Sequence, residues 1–201
     1  SEAAPTVSAH RRGEPIKPGS VGRPFPGVEV RIADADGKPL PVGKVGELLV
    51  RGDNITPGYF RNEEATREAL RDGWLHTGDI ARLDEDGYLY IVDRKKDLII
   101  RGGFNIYPRD LEEVIARHPA VAEVAVVGAP SERMGEEVVA FVVKKGEIRE
   151  DELIAYCQDK LAKYKTPRKV VFLDLLPRSG VGKILKKNLR EQAVELDIPD
   201  Y

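Results

Sequence analysis

The stretch "LPRSGVGKILKKNL", residues 176 to 189, gathers Gly180, Gly182 and Lys183 into four positions. A lysine on a glycine loop is how P-loops cradle phosphates, but that motif also needs an earlier glycine and a Ser or Thr after the lysine. Pro177 and Ile184 hold those two places, so the hydroxyl that would hold magnesium is missing and the P-loop reading fails. A second candidate is Asp79 in "WLHTGD", residues 74 to 79. On a turn between two β segments its carboxylate could accept both hydroxyls of a ribose, as acidic residues do in dinucleotide sites. Taken alone, a turn aspartate satisfying its own backbone is the better reading. The run "RKKD", residues 94 to 97, reads by itself as a solvated charged linker. His10, His76, His118 and Cys157 show no zinc-ligand spacing. Cys157 lies beside Leu153, Ile154 and Leu161, as a packed small hydrophobe does, rather than as a nucleophile.

The elements that must position these groups change character midway. Up to "DRKKD" the chain alternates turn-rich stretches ("ADADGKPLPVGKVG", "RGDNITPG", "DEDG") with short β-branched runs, "VEVRIAD", "GELLVRG", "IARLD" and "YLYIVD". This predicts antiparallel strands joined by hairpins. Asn62 is the expected N-cap of one helix in "NEEATREALRDG", with acidic residues in its first turn. After "DRKKD" helices and apolar strands alternate. Pro108 opens a helix with Leu111, Val114 and Ile115 on one face, and "REDELIAYCQDKLAKYK" is a second amphipathic helix. A third helix is expected from about Lys183, and "VAEVAVVGAP", "EVVAFVVKKG" and "KVVFLDLLP" are strands. Three strands and three helices predict a compact α+β domain.

Composition narrows the function classes. Hydrophobic residues at 41% and charged residues at 33% describe an ordinary globular chain, and 32 basic against 34 acidic groups give no sign of a nucleic-acid partner. The single cysteine excludes an intrachain disulfide framework, so a reducing cytoplasm fits best. No apolar run reaches membrane-spanning length, and no signal peptide opens the chain. The opening "SEAAPTVSAHRRGEPIKPGS" has neither an initiator Met nor a period, as expected of the middle of a longer protein.

Four stretches in order and register resemble the C-terminal part of the acyl-CoA synthetase branch of the adenylate-forming enzymes, the superfamily that also holds luciferases and peptide-synthetase adenylation domains. They are "SE" at 1 to 2, "WLHTGD", "DRKKDLIIRGGFNIYPRDLEEVI" at 93 to 115, and "LPRSGVGKILK" at 176 to 186. The resemblance covers essentially the whole chain. It implies an α+β fold: residues 1–93 as a β-rich, barrel-like remnant of a large N-terminal lobe, and 94–201 as a small mobile C-terminal domain with a three-stranded sheet flanked by helices. The rest of that lobe, with its phosphate loop and acyl pocket, would lie upstream as the missing partner of this chain. Asp79 and Arg94 match the family's two ribose contacts, which tips Asp79 toward function, and Ile91 lies near the adenine edge. Glu2 resembles the magnesium-holding glutamate and Ser1 the residue that meets the phosphate. At a chain end without their supporting motif, both are expected to be disordered or non-functional.

The resemblance makes Lys96 the hinge about which the C-terminal domain turns between two working positions. Gly102 and Gly103 would let a pantetheine arm pass close to the backbone, a plain β-bulge being the alternative. Arg101 departs from the small residue usual there, so that part of the tunnel wall is not carried over. Lys183 would meet the α-phosphate and the attacking carboxylate together, relieving repulsion between two anions. "KYKTPRKV", residues 163 to 170, could bind phosphates of coenzyme A, although a solvated basic patch is the simpler reading.

The implied parent joins a fatty or other acyl acid to coenzyme A with ATP and Mg, through an acyl-adenylate, while this stretch alone is expected to be inactive. The rival from another class is a non-catalytic module that binds nucleotide weakly or docks a partner. An initiator Met directly before Ser1 would favour it.

Overall fold

A computed structural model describes residues 2–198. The chain divides into two compact units, Ser1–Lys96 and Asp97–Tyr201.

The first unit begins with a two-stranded ribbon, β1 (Ser8–Ala9) against β2 (Arg23–Pro24). Gly22 must be glycine there: its φ is +83°, and a Cβ would lie 2.0 Å from the Ala9 carbonyl carbon. β3 (Glu29–Ala33), β4 (Gly46–Arg51), β5 (Leu70–Arg71), β6 (Trp74–Leu83) and β7 (Leu89–Arg94) form a five-stranded antiparallel sheet. β4 and β6 lie side by side in it, with β3 outside β4, and β5 and β7 both on the far edge of β6. Its core is Ile32, Leu48, Val50, Ala81 and Leu89. Helix α1 (Glu63–Ala69) starts where Asn62 predicts: the Ala65 N–H donates to Asn62 Oδ1 at 3.0 Å. Such a cap is worth about 0.5–2 kcal/mol.

In the second unit β8 (Ile99–Arg101) and β9 (Phe104–Ile106) make a hairpin, followed by α2 (Pro108–Ala116), β10 (Val121–Ser131), β11 (Gly135–Lys144), α3 (Glu150–Lys160), β12 (Lys169–Leu173) and α4 (Lys186–Val194). The three expected long strands are present, and the β8–β9 hairpin widens their sheet to five. Alternation along β10 and β11 sends side chains to two separate cores. Val126, Val138, Ala140 and Val142 pack against Leu111 and Ile115 of α2 and Leu153 and Cys157 of α3. Ala125, Val127, Val139 and Phe141 pack against Leu189 and Ala193 of α4. A sheet covered on both faces is why those strands read as continuous apolar runs. Each large side chain fully buried there contributes about 1.5–3 kcal/mol. Cys157 is buried, and burial pushes its thiol up to about 11, as suits a packing residue. Among the described residues no helix is long and apolar enough to cross a membrane.

Candidate functional site

Asp79 does not sit on a turn between two strands, as the sequence suggested, but inside β6, on a bulge. The pairing with β4 passes from Leu49↔His76 to Glu47↔Ile80, which leaves residues 77–79 opposite Leu48 alone. Gly78, at φ +70°, takes up the distortion. The Thr77 hydroxyl holds it by donating to the Leu48 carbonyl at 2.8 Å and accepting from the Asp79 N–H at 3.0 Å. A bulge re-aims a side chain, and here it sets Asp79 directly across from Arg94 at the end of β7. Arg94 Nε lies 2.9 Å from Asp79 Oδ1. Burial raises the Asp79 carboxyl above its ordinary value, against the lowering pull of Arg94. A half-buried carboxylate with one oxygen committed to a guanidinium keeps acceptor capacity for a ligand hydroxyl. Ile91 pairs with Ala81 and packs against the Ile32 and Leu48 core, so only part of its side chain is open to a ligand.

Glu2 is held in place, contrary to the disorder expected of it. Its carbonyl accepts from the Thr56 N–H and the Ala4 N–H donates to the Asn54 carbonyl, both at 2.8 Å. The Tyr59 hydroxyl donates to Glu2 Oε1 at 2.9 Å and is the main reason its carboxyl lies below the ordinary range. Ser1 lies outside the described residues. Among the described residues no cluster of three or more His, Cys, Asp or Glu could hold a metal. Glu2 offers one hard oxygen, which suits a cation whose other ligands are phosphate oxygens and water.

Lys96 is the middle residue of a 3-10 turn, Lys95–Asp97, at the junction of the two units. Just beyond it, Gly102 and Gly103 are the two central residues of the β8–β9 hairpin, with φ of +56° and +81°. Positive φ at both is the type I′ turn that matches strand twist, so they are a tight hairpin and not a bulge. The Gly102 N–H donates to the Met134 carbonyl at 2.8 Å, and a Cβ there would come within 2.7 Å of Met134 Cε. Arg101 turns inward. Its Nε is 2.7 Å from Glu137 Oε2, and its Nη1 donates to the carbonyls of Tyr164 at 2.9 Å and Thr166 at 3.2 Å. It therefore ties the hairpin to the 163–166 segment at one wall of a cleft of about 1060 Å³. Arg149, Lys163, Arg168 and Lys169 also line that cleft, with Glu150 and Asp151. Lys169 pairs with Glu150, and Arg149 with Asp151, so part of the basic character is already internally compensated.

Lys183 stands on a hairpin loop rather than at the start of the last helix, which begins at Lys186. The Ser179 N–H donates to the Lys183 carbonyl and the Gly182 N–H to the Ser179 carbonyl, both at 2.8 Å, while Arg178 pairs with Ile184. Gly182 makes the turn at φ +83°. The Lys183 side chain is exposed and has no ion pair among the described residues. Arg178 braces the loop by donating to the Gly182 carbonyl at 2.7 Å and to the Glu123 carboxylate on β10. Sequence reasoning passed over Arg178, whose only signal was a basic residue beside the glycine loop.

The chain is similar to known proteins along most of its length. The family model for the AMP-binding enzyme C-terminal domain matches residues 110–183, and that for AMP-binding enzymes matches residues 1–60. The chain is 52% identical over 180 residues to 2-succinylbenzoate–CoA ligase of Bacillus cereus, covering 90% of this chain and 37% of that protein. It superposes on ATP-bound MatB from Rhodopseudomonas palustris with a TM-score of 0.89 at 41% identity, covering 94% of this chain and 38% of that one. On the o-succinylbenzoate CoA synthetase MenE of Bacillus subtilis, in complex with the acyl-adenylate OSB-AMP, the TM-score is 0.79 at 40% identity, covering 91% and 37%. The chain thus spans well under half the length of these relatives. The succinylbenzoate named in two of them is an acyl acid other than a fatty acid, the second of the two kinds that the sequence reading allowed. By these matches at both ends of the chain, it belongs to the AMP-binding enzyme family.

Proposed function

We propose that the protein containing this chain is an AMP-forming acid–coenzyme A ligase, in which the unit up to Lys96 helps to hold the nucleotide and the unit from Asp97 onward, three residues later than the boundary expected from the sequence, forms the mobile domain. The observation that carries the reading is the Asp79–Arg94 pair, set by a bulge inside β6 across from the end of β7 in a chain that superposes on an ATP-bound relative. In the first half reaction a carboxylate oxygen of the acid attacks the α-phosphorus of ATP, and the bond to pyrophosphate breaks. In the second the coenzyme A sulfur attacks the acyl carbon, the bond to AMP breaks, and the thiol proton is released. Dividing one hard condensation into two activated steps is the gain.

Asp79 and Arg94 would take the ribose hydroxyls, and the open part of Ile91 would lie along the base. Ser1 would meet the phosphate. Glu2 would give one oxygen to Mg²⁺, which when bound would neutralise charge on the phosphates. Lys183, exposed on its braced loop, would place a positive charge between the phosphate and the attacking carboxylate. Lys96 would be the pivot. The Gly102–Gly103 hairpin would border the pantetheine path, and the basic cleft behind Arg101 suits the anionic end of coenzyme A. For the acid itself, 52% identity to a 2-succinylbenzoate–CoA ligase supports an aromatic carboxylate such as 2-succinylbenzoate over a fatty acid.

The test is pyrophosphate release and thioester formation by the full-length protein against 2-succinylbenzoate, other aromatic acids and fatty acids. Thioester with an aromatic acid is expected. Release of pyrophosphate with no acid tried, or turnover of fatty acids alone, contradicts the reading. The 201 residues by themselves are expected to release none.

A further inference from the structure

The residues on either side of Lys96 are anchored, each to its own unit. Before it, Lys95 Nζ lies 2.9 Å from Glu47 Oε2 on β4, and the same oxygen lies 3.3 Å from His76 Nδ1 on β6. Because β6 separates β7 from β4, the Lys95 side chain bridges a whole strand to reach Glu47. After Lys96, the Asp97 carboxylate accepts from the Arg190 guanidinium on α4. The unit boundary falls between Lys96 and Asp97. Glu47 is only 7% exposed. Replacing a buried ion pair with apolar groups is often neutral or stabilising, so stability is a weak account of such a carboxylate in the middle of a sheet.

We propose that Glu47 and Arg190 are positioning residues that clamp Lys95 and Asp97, so that the change in backbone dihedrals between the two working orientations is confined to Lys96. The proposal rests on the hinge reading above and adds to it what limits the hinge. The physical need is leverage. A unit of about 100 residues has a radius of gyration near 13 Å, so a stray rotation of about 10° at Lys95 would displace groups that far from the pivot by roughly 2 Å, and more distant ones by more. A misplacement of about 1 Å is enough to impair a reacting geometry. Anchoring both neighbours removes that error at little cost to the motion itself.

The experiment measures the distribution of distances between spin labels at one exposed site in each unit of the full-length protein, with Cys157 replaced by Ala, first with ATP and then with coenzyme A and product. The parent is expected to give two narrow populations. Lys95→Met and Glu47→Gln should each broaden both by roughly 2 Å, the double variant should be no broader than the worse single one, and Lys95→Arg should restore the width. Arg190→Met should broaden them likewise. Lys95 is half exposed, so its variants keep the test usable if Glu47→Gln folds poorly. Lys96→Pro separates the two ideas. Proline fixes φ, and it should leave one population. If proline leaves two, the hinge reading fails. If proline leaves one while Lys95→Met and Glu47→Gln keep the parent width, the clamp is wrong and the hinge stands.

Discussion

The two units present their charged groups in opposite ways. In the first, Asp79 and Arg94 are paired across adjacent strands, and Asp79 is half-buried on a bulge locked by Thr77. In the second, Lys183 is exposed on a short loop, braced from behind by Arg178. A group that holds a ligand gains from a rigid strand and a pre-set partner, because the ordering entropy is met on folding. A charge that must enter another cleft gains from a loop that is stiff yet open. On the function proposed above, the difference would make one unit the fixed half of a site and the other the delivered half, each built by ordinary β-hairpin chemistry.

Breaking the delivered half has the largest expected effect. Lys183→Ala in the full-length protein should lower the single-turnover rate of adenylation by on the order of a hundredfold or more. Thioester formation from supplied acyl-adenylate should fall far less. Equal losses in the two half reactions, in rapid-quench measurements, would give the lysine a structural role instead.

The next effect tests whether the second unit's own rigidity depends on Arg101. Arg101→Met leaves Glu137 buried without its guanidinium, so unfolding in urea should show a loss of about 3–5 kcal/mol. Arg101→Met with Glu137→Gln should recover most of it. A single variant as stable as the parent would show that the pair contributes nothing. Gly102→Ala should cost about 1–2 kcal/mol, because alanine is forced to positive φ and against Met134. Gly103→Ala, with open space at its Cβ, should cost less. The same melts rank the two.

The smallest effect concerns the first unit. Asp84 is held down to about 2, chiefly by the Lys17 ammonium that pairs with it. The ordinary value for an aspartate is about 3.9. A carboxyl lowered on folding contributes stability that is present above the unfolded value and lost as the pH falls through the folded one. Lys17→Met should therefore lower the melting temperature slightly at neutral pH, leave the value near pH 2 nearly unchanged, and so flatten the fall between about pH 4 and 2. An identical acid profile in both proteins would contradict the assignment.

Much of this was legible in the sequence where the signal is local. Asn62 announced the start of α1 and Pro108 that of α2, and the apolar runs around Val126 and Phe141 marked strands buried on both faces. What failed to show were features set by neighbours far along the chain. β8 and β9 are three residues each, too short to carry a period, so Gly102 and Gly103 read as a bulge or a tunnel lining rather than as a turn. The last helix is expected from about Lys183 but begins at Lys186, because the hydrogen bonds between Ser179 and both Gly182 and Lys183 hold the lysine in a hairpin. Glu2 owes its order to Tyr59 and Thr56, more than fifty positions away. The bond from Lys95 to Glu47 spans 48 positions, and no local pattern encodes it.

The account's central claim is that holding and delivery are separate tasks of the two units, and one paired measurement addresses it directly. The affinity for ATP and the adenylation rate at saturating ATP and acid would be determined side by side for Asp79→Asn and Lys183→Ala in the full-length protein. Losing a hydrogen bond to a charged group should weaken ATP binding by Asp79→Asn roughly tenfold or more, with the saturated rate close to that of the parent. Lys183→Ala should do the reverse, leaving the affinity within a few-fold and collapsing the rate. If both substitutions change the same quantity to the same extent, the division between a fixed and a delivered half is wrong.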